Sequence, residues 1–304
     1  MERPVLEAIE SAAAAGEQAA VATVVATIRS APRQPGAKLV VTERGRLVGS
    51  VSGGCVEADV AERARALFAG ARPELVHYGV ADEQAWGVGL ACGGEIDVFL
   101  ERADPALWRS VRALLDAERP GTLFTDTATG EKRLVPGVAE RTRLREDGVF
   151  VEAVEPPLRL VVFGATAAAE HLCAYGRELG WRTTVVDSRP GLLTRERLPS
   201  AGELVEAWPD EVTDRIDART AVVSTTHEDR LDLPALAAAL RSEARYIGAI
   251  GSRRTQERRR AALAEQGFTD SELKRIHGPA GLDLGGREPA QIALAIAAEI
   301  VSST

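Results

Sequence analysis

The sequence predicts an α/β protein: an N-terminal α+β domain over residues 1–155, then a Rossmann-like, doubly wound parallel-sheet domain over 156–304. Three observations carry this reading. The first half mixes Val/Thr-rich runs with hairpin signals and only two clear amphipathic stretches. The second half alternates short apolar runs with helical stretches, the pattern of a parallel sheet with crossover helices. Between them stands Glu155-Pro156-Pro157, where consecutive prolines fix an extended, poorly pairing backbone and mark the linker.

In the first half, residues 20–28 are rich in Val and Thr and read as a strand. Residues 38–42 and 46–49 flank Glu43-Arg44-Gly45 as a hairpin. After Gly53-Gly54 the apolar positions become Val56, Val60, Ala64 and Leu67, the spacing of an amphipathic helix that ends near Gly70 and places Cys55 at its N-terminus. Strands follow at 75–78 and 95–100, a helix at 105–117, a hairpin from 122–127 and 132–135 around Thr129-Gly130, and a last strand at 150–154. In the second half, strands are expected at 159–163, 183–186, 203–207, 221–224 and 246–250. Helices are expected at 168–179 and 234–240, with two more after the last strand, the final one alanine-rich over about 290–301.

Composition narrows the class of function. The formal charge of -8 opposes a general nucleic-acid or anionic-membrane surface, though a local basic pocket for a phosphorylated small molecule stays open. No uninterrupted run of about 18 apolar residues suggests a membrane span, and the chain reads as cytoplasmic. Its three cysteines form no disulfide scaffold. Lys38, Lys132 and Lys274 are the only lysines and read as a compositional bias.

The chemistry-bearing motifs begin with two near mirror images, Gly53-Gly54-Cys55 and Cys92-Gly93-Gly94. Paired glycines let backbone amides approach a ligand, and a helix N-terminus stabilises a thiolate, so Cys55 and Cys92 are candidate functional thiols. Zinc is disfavoured, since no third and fourth ligand stands at tight spacing. Cys173 reads as packing.

The first strand-to-helix turn of the second half, Gly164-Ala165-Thr166-Ala167-Ala168-Ala169, keeps the first glycine of a dinucleotide fingerprint. Thr166, however, replaces the glycine that admits a pyrophosphate. Asp187 stands where a ribose-binding acid belongs. Gly251-Ser252-Arg253-Arg254 follows a buried strand and opens a helix, which makes an anion cradle; alternatively its arginines belong to a solvated run continuing through Arg258, Arg259 and Arg260. His227 falls at the carboxyl end of a strand, and the glycine-rich stretch around Asp283 is suited to lining a site.

Together, Pro32-Arg33-Gln34-Pro35-Gly36-Ala37-Lys38, residues 49–57, Cys92-Gly93-Gly94, residues 248–254 and Gly281-Leu282-Asp283 resemble the XdhC/CoxI family of molybdenum-hydroxylase maturation factors. The resemblance spans nearly the whole chain, with motifs of both domains in the family's order. It implies an accessory factor that binds molybdenum cofactor, as molybdopterin or its cytidine dinucleotide form. Such a factor supports the cofactor's terminal sulfuration with a cysteine desulfurase and inserts it into an apo hydroxylase of the xanthine dehydrogenase or carbon monoxide dehydrogenase type. Cys55 and Cys92 would then be molybdenum or sulfur contacts. The family commonly reads Gly-Ala-Gly-His where this chain has Gly164-Ala165-Thr166-Ala167, which weakens dinucleotide binding. A homodimer that sets the N-terminal domain of one chain against the Rossmann crevice of another would bring thiols and cradle together. The alternative is an NAD(P)-dependent oxidoreductase, disfavoured by Thr166 and by the lack of a recognisable proton relay.

Overall fold

A computed structural model describes residues 3–79 and 93–303. The chain divides into two compact units, Met1–Pro156 and Pro157–Thr304.

The first unit opens with helix α1 (Arg3–Ala14), which the sequence reading passed over. Its apolar residues Val5, Leu6, Ala8, Ile9 and Ala12 are all buried, so the helical period was present in a stretch without a continuous apolar run. Strands β1 (Ala19–Ile28), β2 (Lys38–Thr42) and β3 (Leu47–Gly49) follow, then helix α2 (Glu57–Phe68) and strands β4 (Glu74–Tyr78) and β5 (Glu95–Arg102). These strands form an antiparallel sheet in the order β3-β2-β1-β5-β4. Helix α3 (Pro105–Asp116) is capped by Asp104, whose carboxylate accepts from the Ala106 N–H at 2.9 Å. A second antiparallel sheet, β7-β6-β9-β8, is built from β6 (Gly121–Asp126), β7 (Lys132–Pro136), the two-residue β8 (Arg143–Leu144) and β9 (Val149–Val154).

Two of the three lysines are structural, which corrects the reading of their scarcity as mere bias. Lys38 Nζ lies 2.7 Å from Glu152 Oε1, with both side chains about 5% exposed or less, and 5.8 Å from the centroid of the Trp108 ring. Lys132 Nζ lies 2.7 Å from Glu101 Oε1 and donates to the Thr125 hydroxyl. Burial pushes the Glu101 carboxyl up and the Lys132 ammonium down, and their mutual attraction opposes both shifts.

The second unit carries a parallel sheet in the order β12-β11-β10-β13-β14-β15, from β10 (Arg159–Phe163), β11 (Arg182–Val186), β12 (Glu203–Val205), β13 (Thr220–Ser224), β14 (Tyr246–Ala249) and β15 (Ile276–His277). In sequence terms the order is 3-2-1-4-5-6, the Rossmann arrangement. Strand alternation assigns the helices to faces. Leu160 and Val162 of β10 pack with α4 (Ala167–Glu178) and α8 (Pro289–Ser302), while Val161 and Phe163 pack with α5 (Asp229–Arg241) and α6 (Arg253–Glu265). A short α7 (Asp270–Leu273) precedes β15. Cys173 is fully buried among Leu172, Val185 and Ile296, and burial pushes its thiol up to about 12, consistent with an inert core cysteine.

Expected boundaries move at several elements, of which β12 and α5 have a clear physical reason. Strand β12 stops at Val205 instead of 207, because it is an edge strand paired only with Thr184–Val186 of β11. Helix α5 starts at Asp229, not at Pro234, and runs through the proline. Its first turns are held to the sheet edge and to α6 by Asp232, whose buried carboxylate accepts from Ser224, Thr226 and Arg259.

Replacing Lys38 by Met strands the Glu152 charge in the interior. Denaturant titration should show a loss of about 3–5 kcal/mol for Lys38→Met, largely recovered in the double variant Lys38→Met/Glu152→Leu. Equal stability of the single variant and wild type would contradict the buried pairing.

Candidate functional site

The segment 50–57 links β3 to α2. Val51 and Val56 are fully buried and pin both ends of the turn in the core of the first sheet, leaving Gly53, Gly54 and Cys55 exposed between them. The turn is wound around one carboxylate. Glu57 Oε1 accepts from the Ser50 hydroxyl at 2.6 Å and from the N–H groups of Val51 at 3.1 Å and Ser52 at 2.9 Å. Its Oε2 accepts from the Ser52 hydroxyl and from the N–H groups of Gly54 at 2.9 Å and Val56 at 3.2 Å. The Gly53 N–H donates to Ser50 Oγ at 2.8 Å. Burial pushes the Glu57 carboxyl up, but the hydrogen bonds from Ser50, Ser52 and the backbone outweigh it and hold the group at about 2.

This changes the role of the glycines. They were expected to offer amides to a ligand, yet the Gly53 and Gly54 amides are spent inside the turn. Glycine is needed here because φ is +76° at Gly53 and +116° at Gly54, and no Cβ would meet anything within 4 Å. Cys55 is also one residue further from the helix than expected: α2 begins at Glu57 with Val56 as its cap residue, and Cys55 precedes that cap as an exposed free thiol. The anion at the head of α2 is the protein's own glutamate. Asp59, in the first turn of α2, accepts from the Tyr78 hydroxyl at 2.6 Å and ties the helix to the end of β4.

Cys92 lies outside the described residues. Gly93 is described with φ of +74°, and Gly94 packs so closely on the chain after β1 that a Cβ would stand 2.3 Å from the Ser30 carbonyl oxygen.

In the second unit the candidate residues gather along the carboxyl edge of the parallel sheet. Gly164 follows β10 with φ of +106°, and a Cβ there would collide with Thr226 Cγ2 at 2.2 Å. Thr166 caps α4, its hydroxyl accepting from the Ala169 N–H at 3.2 Å and bonding Thr225 Oγ1 at 3.1 Å, while Thr225 donates to the Gly164 carbonyl at 2.9 Å. Threonine hydroxyls thereby link the turn after β10 to the loop after β13 at the topological switch point.

Asp187 directly follows β11, but its side chain is fully buried. It accepts from the Ala165 N–H at 2.8 Å and from Arg189 through the main-chain N–H, Nε at 2.9 Å and Nη2 at 2.7 Å. Burial raises its pKa, and these hydrogen bonds bring it below the usual carboxylate range. Arg189 continues to Glu228 in the loop after β13. A ribose would have to displace this guanidinium, so the carboxylate read as a sugar ligand serves as an internal brace.

The outward-facing candidates are His227, Ser252, Arg253, Arg254 and Asp283, all exposed. Ser252 caps α6 by accepting from the Thr255 N–H at 3.2 Å. Among the described residues neither the Arg253 nor the Arg254 side chain has a hydrogen-bonding or ionic partner. The turn carrying them is joined to the loop before Asp283: the Ala280 N–H donates to Ala249 O at 2.9 Å, and Gly278 lies against the side chain of Gln256, where a Cβ would be 2.5 Å from Oε1. Glu299 of α8 fixes the same loop. It accepts from the Tyr246 hydroxyl at 2.6 Å and the Gly281 N–H at 2.7 Å, and its Oε1 is 2.9 Å from His277 Nδ1.

Arg259 is the clearest departure from the sequence reading, which put it in a solvated basic run. Its side chain is 1% exposed and paired with Asp232. The available signal was periodic: Gln256, Arg259 and Leu263 share the buried face of α6 at helical spacing. Glu57, Asp232 and Glu299 were likewise missed as organising groups. Acidic residues in the first turns of α2 and α5 were the only hint.

Two family models match the chain, the XdhC and CoxI family over residues 12–79 and the XdhC Rossmann domain over residues 160–300. The molybdenum cofactor insertion chaperone PaoD of Escherichia coli (strain K12) is 30% identical over 304 residues, covering 99% of this chain and 88% of that protein. The chain belongs to the XdhC/CoxI family. A probable xanthine dehydrogenase subunit of Bacillus subtilis (strain 168) is 27% identical across 94% of this chain and 93% of its own length. A crystal structure of a xanthine dehydrogenase from Bacillus halodurans superposes with a TM-score of 0.83 at 25% identity, covering 98% of this chain and 95% of that one. The XdhC/CoxI fold thus extends over both units. Among the described residues no helix is long and apolar enough to cross a membrane.

The Glu57 bonds make the turn of this XdhC/CoxI protein acid-sensitive. A depressed carboxylate contributes stability that is full above its unfolded value, near 4.5, and is lost as pH falls toward about 2. Glu57→Gln should therefore be less stable than wild type by roughly 1–3 kcal/mol at neutral pH, with the gap closing between those two values in pH-dependent unfolding. A gap independent of pH would contradict the assignment.

Proposed function

We propose that the chain is a molybdenum cofactor chaperone: it binds the cofactor, supports its terminal sulfuration and inserts it into an apo molybdenum hydroxylase. Full-length similarity to PaoD supports the general role. The structural observation that carries the reading is the pair of exposed guanidiniums at the N-terminus of α6, Arg253 and Arg254, which have no ionic partner among the described residues. Molybdopterin presents a phosphate, and a helix N-terminus with two free arginines offers the N–H groups, dipole and bidentate donors that hold one. Ser252, His227 and Asp283 stand exposed on neighbouring loops to add polar contacts. In the first unit, Cys55 offers an exposed thiol on a braced turn for the sulfur-ligated metal, with Cys92 as the second candidate contact. Gly53 and Gly54 shape that turn, and Gly93 and Gly94 the chain beside Cys92.

The finer parts of the proposal concern partners. A cysteine desulfurase would supply sulfur, a hydroxylase of the xanthine dehydrogenase or carbon monoxide dehydrogenase type would receive the cofactor, and a homodimer would join the thiol surface of one chain to the arginine surface of another. Both plain molybdopterin and its cytidine dinucleotide fit a phosphate-reading surface.

Purification of the full chain from cells making the cofactor, with phosphate, pterin and molybdenum analysis of the bound fraction, tests the reading. Arg253→Ala/Arg254→Ala should lower cofactor affinity about 10- to 100-fold, the value of one or two charged hydrogen bonds. Cys55→Ser should keep pterin and phosphate but lower molybdenum content. Wild-type stoichiometry in both variants would overturn the proposal. A nicotinamide dinucleotide fits less well, because Asp187 is spent on Arg189 and Thr166 occupies the phosphate turn. Titration with NADH should accordingly give no saturable fluorescence enhancement at micromolar concentration.

A further inference from the structure

A buried ion pair lies under the loops along the carboxyl edge, beside the backbone bonds that also tie them. Arg259 lies beneath them on α6, with 1% of its side chain exposed. Its Nη1 donates to Ile250 O at 2.7 Å, the residue before Gly251-Ser252-Arg253-Arg254. Its Nη2 donates to Thr226 O at 3.4 Å, the residue before His227, and to Asp232 Oδ2. Asp232, also fully buried, accepts from the Ser224 and Thr226 hydroxyls through its other oxygen. One guanidinium therefore joins the turn after β14 to the loop after β13, and one carboxylate fixes the latter from below.

We infer that Arg259 and Asp232 are positioning residues for the phosphate-reading surface: the buried pair sets where His227 and the Ser252–Arg254 turn stand, without touching the ligand. The inference rests on reading Arg253 and Arg254 as the phosphate contacts. The chemistry explains the choice of residues. A planar guanidinium presents donors in fixed directions and reaches two carbonyls and a carboxylate on three segments, which a single ammonium does not. The pair is not needed to bury charge favourably, since apolar replacements of both partners commonly match a buried ion pair in stability. Its value here is geometric, and positioning by a supporting shell is what a recognition surface requires.

The experiment uses the full chain and two variants. Arg259→Lys keeps the charge but cannot span the two carbonyls, and Asp232→Leu/Arg259→Met removes both charges together so that folding is preserved. Hydrogen exchange, followed by mass spectrometry, should show faster exchange at residues 225–229 and 250–255 in both variants, with strands β10 and β11 unchanged. Calorimetric titration with inorganic pyrophosphate should show affinity about tenfold or more below wild type, and the melting temperature of the double variant should stay close to wild type. Exchange and affinity both equal to wild type in the double variant would overturn the positioning role. So would a uniform rise of exchange across the sheet, which marks a merely structural pair. Absence of pyrophosphate binding in wild type, together with an unchanged Arg253→Ala/Arg254→Ala variant, would instead remove the phosphate reading on which the inference rests.

Discussion

The carboxylate of Glu57 determines what the most conspicuous sequence motif of this XdhC/CoxI protein can do. Six donors from residues 50–56 converge on its two oxygens, and the glycine turn is the path the chain takes around them. A turn wound around an internal anion cannot also collect an external one with the same amides. What it presents is the residue left over at its apex, the Cys55 thiol, on a backbone whose freedom has been removed. The motif reads as a mount for sulfur and not as an anion nest.

The same division recurs in the second unit. Asp187, Asp232 and Glu299 turn their charge inward, onto Arg189, onto Arg259 and the strand-end hydroxyls, and onto Tyr246 and the Gly281 amide. The groups left facing outward along the sheet edge are Ser252, Arg253, Arg254, His227 and Asp283. Ligand binding at such an edge is the general property of open parallel sheets, but here the acidic groups turn inward behind the loops, and among the described residues the two arginines in front have no ionic partner. That asymmetry, within a protein of net negative charge, is the basis of the phosphate contact proposed above.

Much of this was legible in the sequence, for physical reasons that can be named. The alternation of 159–163, 221–224 and 246–250 with helical stretches predicted the parallel sheet, because buried strands need continuous apolar runs and crossovers need amphipathic helices. The hairpins around residues 43–45 and 129–130 carried their own turn residues. What the sequence concealed was the direction in which polar groups point. Arg259 sits in a run of arginines that local composition cannot sort, and only the face shared with Gln256 and Leu263 separates it from Arg258 and Arg260. Asp187 stands at the position of a ribose ligand, and nothing in its own spacing announces that Arg189, two residues on, will occupy it. Helix α1 was passed over because its apolar residues are spread among polar ones, which is what a surface helix requires.

Cys55 is where the account commits most. Mass-spectrometric mapping of alkylation on the intact chain, with and without added molybdenum cofactor, addresses it directly. The account predicts that Cys55 is modified rapidly in the free protein, that Cys173 is not, and that cofactor protects Cys55. Alkylation of Cys55 at the same rate with and without bound cofactor would contradict a thiol that meets the cargo.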